Sequence, residues 1–143
     1  QQQQQHFFAA GLVGANEVNS TANNFCYSVS NSSHLKEIYV KNILPSLIKF
    51  NPELILLSSG FDGHSSDPLG GALKLSIHDY RWLTKEIVKT SKQCANCVGI
   101  VSVLEGGYDI SKHTNSLAKC VVAHVEELNN DMNRYKCEYC GKK

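Results

Sequence analysis

Asp62-Gly63-His64 sets a carboxylate and an imidazole two residues apart. If the chain stays extended there, alternate side chains point the same way, and the pair has the geometry to share a cation. Asp67 follows in the same loop, and Tyr108 closes a second glycine-rich stretch, Leu104-Glu105-Gly106-Gly107-Tyr108. Cys94-Ala95-Asn96-Cys97 and Cys137-Glu138-Tyr139-Cys140 are both C-x-x-C pairs, the spacing of thiolate ligands around structural zinc. Each residue also has a plainer role. A lone Asp in a Gly/Ser loop ordinarily closes an Asx turn or caps a helix, and a Tyr is ordinarily a packed ring with a satisfied hydroxyl. Two C-x-x-C pairs near a polar tail are more simply four ordinary thiols.

The chemistry-bearing residues need a scaffold, and the apolar pattern supplies one. Leu54-Ile55-Leu56-Leu57 is too short for a helix interior and ends at turn residues, which predicts a fully buried strand of a parallel sheet. Val98 to Leu104 predicts a second strand. Between them, Ser76 is a good N-cap for a helix through Lys89 or Thr90, with Asp79 in its first turn and Tyr80, Leu83, Ile87 and Val88 on its apolar face. Trp82 on that helix reads as packing. Upstream, Ser32 or Ser33 is expected to cap a helix reaching Phe50, bent or divided by Pro45. Asn115 to Leu128, with Leu117, Val121, Val122 and Val125 on one face, predicts a last helix. Phe25 to Val29 is a candidate short strand, and Gln1 to Gln5 is a polar homopolymer to which no structure is assigned.

Strand, helix, strand predicts a right-handed parallel crossover. The loops carrying Asp62 and Tyr108 then leave neighbouring strands at one edge of the sheet, where α/β folds gather their sites. Two adjacent parallel strands with three helices are a poor isolated domain, so the pattern predicts part of a larger α/β domain. The two C-x-x-C pairs are expected at the opposite pole.

The 143 residues carry 42% hydrophobic residues, six cysteines and a net charge of +1. Near-neutral charge without a basic stripe argues against a large phosphate footprint, hence against direct nucleic-acid binding. The sequence has neither a signal-like segment nor a run of about 18 apolar residues, which gives no support to secretion or membrane insertion. The nucleus or cytoplasm is the expected compartment, with reduced cysteines.

Three motifs in this order, Ser58-Ser59-Gly60-Phe61-Asp62, Asp67-Pro68-Leu69-Gly70-Gly71 and Leu104-Glu105-Gly106-Gly107-Tyr108, resemble the zinc-dependent histone deacetylase family, most like its class II members. The likeness runs from about Leu35 to Leu128. It implies a parallel-sheet, three-layer arginase/deacetylase-like α/β fold, of which residues 34–130 are the carboxyl-terminal part of the catalytic domain. Residues 1–33 are then an irregular lead-in and 131–143 a polar, cysteine-containing tail.

The resemblance further implies that Asp62 is a carboxylate ligand of catalytic Zn2+ and Tyr108 the transition-state tyrosine. Leu69 would line the mouth of the acyl-lysine tunnel, with Gly106 and Gly107 letting the backbone approach the substrate. His64 falls outside the family's ligand set and reads as a loop or cleft-rim residue, and Asp67 as a support for its loop. Implied partners are acetylated histones or other acetyl-lysine proteins and corepressor-type proteins. The family's other Asp and His ligands and its tandem histidines have no counterpart here, so this chain alone is expected to hold an incomplete active site. The separation of Asp62 from Tyr108 is longer than the family leads one to expect, and the extra length falls at 91–97. Two other readings keep some of these features: an acetylpolyamine-type amidohydrolase of the same fold, or a non-catalytic scaffold with structural zinc on Cys94, Cys97, Cys137 and Cys140.

Overall fold

The computed structural model describes residues 6–12, 23–70 and 73–130. Gln1 to Gln5, Gly71, Cys137 and Cys140 lie outside them. The elements in order are β1 (His6–Leu12), β2 (Asn23–Val29), α1 (Ser32–Ile38), a π-helical turn (Tyr39–Ile43), α2 (Leu44–Phe50), β3 (Leu54–Ser59), α3 (Ile77–Ser91), β4 (Gly99–Leu104) and α4 (Ser116–Asn129). β1 and β2 form an antiparallel pair, from His6 opposite Val29 to Leu12 opposite Asn23. β2 contains the expected Phe25 to Val29 strand. Its partner β1 carries no such signal, since its sequence, His-Phe-Phe-Ala-Ala-Gly-Leu, lacks polar alternation.

The helix before β3 is capped one residue earlier than expected, by Asn31, whose side chain accepts from the His34 backbone N–H at 2.9 Å. Pro45 does divide that helix. Its missing N–H falls just after the π-helical turn, in which the Leu44 N–H reaches back to the Tyr39 carbonyl, and a new helix starts with proline in its first turn. Asn51 ends α2 in the left-handed conformation at φ 51°.

β3 and β4 pair in parallel through α3, in register from Leu54 opposite Gly99 to Ser59 opposite Leu104. The expectation of a fully buried β3 is corrected. Ile55 is buried, yet Leu54 and Leu56 are 47% and 71% exposed, as are Val101 and Val103 of β4 at 47% and 57%. Among the described residues, helices cover one face of this sheet, so the two sets of alternate side chains meet different surroundings.

On the covered side, α3 packs along α4, and α2 packs on α3. Val29, Leu35, Ile38, Tyr39, Leu44, Phe61, Leu75, Tyr80 and Cys120 form the main core, and Leu47, Ile55 and Cys94 a smaller one. α3 opens with a reciprocal capping box between Ser76 and Asp79. Asp79 also accepts from the Ser32 hydroxyl and pairs with Lys36. Burial opposes its charge, but these partners outweigh it and hold its carboxyl well below the usual range.

α4 turns only part of the expected face inward: Leu117 and Val121 pack against the main core, but the other two valines do not. Val122 and Val125 are 55% and 51% exposed, while Ser116, Cys120, Ala123 and His124 are buried. The inner face is small and polar because His124 fits a socket of hydroxyls. Thr84 gives its proton to the Tyr80 carbonyl at 3.0 Å, so it accepts from His124 Nδ1 at 2.7 Å. Nε2 is left as an acceptor for the Ser102 hydroxyl at 2.8 Å, with Ser59 bonded to Ser102 behind it. This is a neutral imidazole, and burial lowers its pKa.

The unfolded chain therefore binds a proton at this histidine that the folded one resists. Stability should be lost as pH falls below about 6.5, the ordinary histidine value, toward the depressed folded value. Thermal unfolding of the complete protein between pH 8 and pH 5 is expected to show this loss. A His124→Gln variant should be flatter with pH; an equally steep variant would remove His124 as the cause.

Candidate active site

The site begins where β3 and β4 end. The parallel pairing continues past both strands, with the Glu105 N–H donating to the Ser59 carbonyl at 3.1 Å and the Phe61 N–H to the Gly106 carbonyl at 2.8 Å. The two loops are thus stitched together at their roots. Phe61 points into the core, edge-on to Tyr80 and His124 with ring centroids at 5.1 and 5.6 Å, and is buried. Its neighbour Asp62 faces the other way, into an open cleft of about 630 Å³ lined by Ser58, Gly60, Val103, Glu105, Gly106 and Tyr108, among others.

Among the described residues the Asp62 carboxylate makes no hydrogen bond or ion pair, though it is partly buried. A Cβ on Gly106 would stand 2.4 Å from Asp62 Oδ1, so only glycine leaves the carboxylate its place. An anionic oxygen donor held this way without a protein partner fits a cation such as zinc. It fits as a single ligand, because no group of three or more His, Cys, Asp or Glu side chains among the described residues could hold a metal. Gly106→Ala in the complete protein is expected to displace this carboxylate and lower turnover by about 10²-fold, the scale of an ångström's misplacement. Activity and thermal midpoint measured together check this; unchanged activity would show that the carboxylate's position is unimportant.

Tyr108 lies on the other side of the cleft, 49% exposed, after Gly107 at φ +124°, a backbone conformation that side chains rarely adopt. Beyond it, Asp109 is buried and caps α4, accepting from the Ser116 hydroxyl at 2.6 Å, the Ser116 N–H at 3.1 Å and the Thr114 hydroxyl at 2.6 Å. The hydroxyl bonds from Ser116 and Thr114 hold its carboxyl well below the usual range. Asp109 has no role in the sequence reading, although Ser111, Thr114 and Ser116 behind it are the signal of a capping turn.

The structure thus brings Asp62, Gly106 and Tyr108 to one cleft. Leu69 is 75% exposed on the adjoining loop, and Gly107 shapes the backbone from beneath. His64 is apart from Asp62's cleft function: it is buried, and its Nδ1 accepts from the Ser66 N–H at 3.1 Å. Asp67 supports its loop as expected, accepting from the Leu69 and Gly70 N–H groups at 2.9 and 3.0 Å. Glu105 and Ser58, bonded to each other at 2.9 Å on the cleft wall, are additions that the motifs alone do not single out.

Cys94 and Cys97 stand at the opposite pole, in a turn just before the Val98 N–H pairs with the Glu53 carbonyl. The Cys94 thiol faces the Leu47 and Thr90 carbonyls, and the Cys97 thiol the Gly99 carbonyl. Burial raises the Cys94 pKa. Cys120, wholly buried, is pushed up to about 11 by burial.

A parallel βαβ unit whose strand-end loops present a carboxylate and a tyrosine across one cleft matches the model of the histone deacetylase domain over residues 8–128. The matched span takes in β2 and all of β1 but its first two residues. The chain belongs to that family.

Among individual proteins, it is 48% identical to type-2 histone deacetylase 2 of Dictyostelium discoideum over 94 residues, 65% of this chain and 5% of that protein. It is 39% identical to type-2 histone deacetylase 1 of the same organism over 103 residues, 71% of this chain and 6% of that one. The crystal structure of the HDA15 HD domain superposes with a TM-score of 0.59 at 21% identity, covering 73% of this chain and 27% of that one. That likeness places the fold in the α/β deacetylase class. No helix among the described residues is long and apolar enough to cross a membrane.

Proposed function

We propose that this chain is the carboxyl-terminal part of the catalytic domain of a zinc-dependent lysine deacetylase acting on acetyl-lysine of histones or other proteins. One observation carries the reading: the unpartnered Asp62 carboxylate and the Tyr108 side chain line the same cleft at the carboxyl ends of adjacent parallel strands. When bound, zinc would polarise the acyl carbonyl and acidify a water. Asp62 would be one of its ligands, from a loop fixed by Phe61 and kept clear by Gly106. Tyr108 would donate its hydroxyl proton in a hydrogen bond to the carbonyl oxygen as negative charge develops there. Leu69, exposed beside the cleft, would meet the aliphatic stem of the substrate lysine. A nuclear or cytoplasmic setting and corepressor-type protein partners belong to the same proposal and rest on the family resemblance.

The test is release of acetate from an acetyl-lysine peptide by the complete protein, by its Asp62→Asn and Tyr108→Phe variants, and with an acetylpolyamine in competition. Turnover near wild type in both variants would remove the assigned roles. Preference for the polyamine would keep the fold and change the substrate.

A further inference from the structure

We propose that Asp67 is a positioning residue, whose carboxylate bridges the rim of the cleft to the backbone of Tyr108. The proposal rests on the reading of Tyr108 as the oxyanion donor. Asp67 Oδ1 holds the Leu69 and Gly70 N–H groups, and its Oδ2 accepts from the Tyr108 N–H at 2.7 Å. One side chain thus satisfies three backbone donors from two different loops. Its surroundings are built for the purpose. Asp67 is 8% exposed, its own N–H donates to the His64 carbonyl at 2.9 Å, and the His64 N–H donates to the carbonyl of buried Phe61 at 3.2 Å. The bridge is therefore anchored in the core through two successive turns. Burial works against its charge, yet the N–H groups of Tyr108, Leu69 and Gly70 prevail and hold its pKa below the ordinary carboxylate value, so it is ionised at neutral pH.

Tyr108 needs such a hold. Two glycines precede it and the residue is half exposed, so the chain on its amino-terminal side is conformationally free and only part of the side chain is covered. A charge-assisted bond to its backbone nitrogen sets the origin from which the ring projects.

The experiment is a double-mutant cycle in the complete protein with Asp67→Asn and Tyr108→Phe, assayed with an acetyl-lysine peptide. Asp67→Asn keeps the shape of the side chain but sets an amide N–H against a backbone N–H. Alone it is expected to lower kcat by about tenfold and to raise KM by a smaller factor, and in the Tyr108→Phe background its effect on kcat should shrink toward none. An equal loss in both backgrounds would overturn the proposal, showing that Asp67 acts on general integrity. A Tyr108→Phe variant with wild-type kcat would instead remove the underlying reading of the tyrosine. Backbone hydrogen exchange of the wild-type protein decides the bridge even if Asp67→Asn fails to fold. The Tyr108 amide should be protected together with those of Leu69 and Gly70, and exchange of Tyr108 at the open-chain rate would overturn it.

Discussion

Tyr108→Phe in the complete protein is expected to lower kcat for an acetyl-lysine peptide by about 10²- to 10³-fold, the loss seen when one oxyanion donor is removed. KM should stay near its wild-type value if, as proposed, the hydroxyl bonds to charge that develops only in the transition state. The substitution removes one oxygen and leaves the ring. Since Tyr108 is half exposed and its hydroxyl makes no hydrogen bond among the described residues, stability should change little, within the ordinary range of about 0.5 kcal/mol for surface changes, and the thermal midpoint with it. Steady-state kinetics with a melting curve on the same sample check both halves. A fall in KM and kcat together would point to ground-state strain at Tyr108 and against a transition-state bond.

Asp62→Asn is expected to remove activity more completely, through the metal. The amide is a neutral donor where the cleft offers an anion, and it should weaken zinc binding by more than the roughly 10- to 100-fold that loss of an outer-shell partner costs. Equilibrium dialysis against zinc, read by elemental analysis, measures this without reference to turnover. Folding should be spared, because the carboxylate supports no hydrogen bond among the described residues. An Asp62→Asn protein that retains zinc as tightly as wild type, yet is inactive, would move Asp62 from ligand to general polar support.

The parallel unit was legible because it is written in local terms: two apolar runs, a serine cap with an acidic partner, and turn residues at each strand's end. The convergence of the Asp62 and Tyr108 loops followed from the parallel pairing of β3 and β4, which a strand–helix–strand order predicts. Three features were hidden for physical reasons. The inner face of α4 is polar at His124, and its burial depends on hydroxyls from α3, β3 and β4 that sequence spacing does not connect. The exposure of Leu54 and Leu56 depends on what covers the second face of the sheet, and apolar composition reports only that something should. The bond from Asp67 to Tyr108 spans two loops separated by a whole helix and strand, and no periodicity encodes it. His64 was legible as a loop residue once it was set apart from Asp62, and its buried Nδ1 bond gives it that place.

The uncovered face of the β3–β4 sheet bears on how the protein behaves in a test tube. Leu54, Leu56, Val101 and Val103 form an apolar stripe on strands that, among the described residues, pair with each other and no third strand. A stripe of this kind, with unpaired strand edges beside it, is a template for association between molecules. Material prepared as these 143 residues alone would carry a built-in aggregation hazard, and its solubility would report on that stripe more than on the health of the cleft.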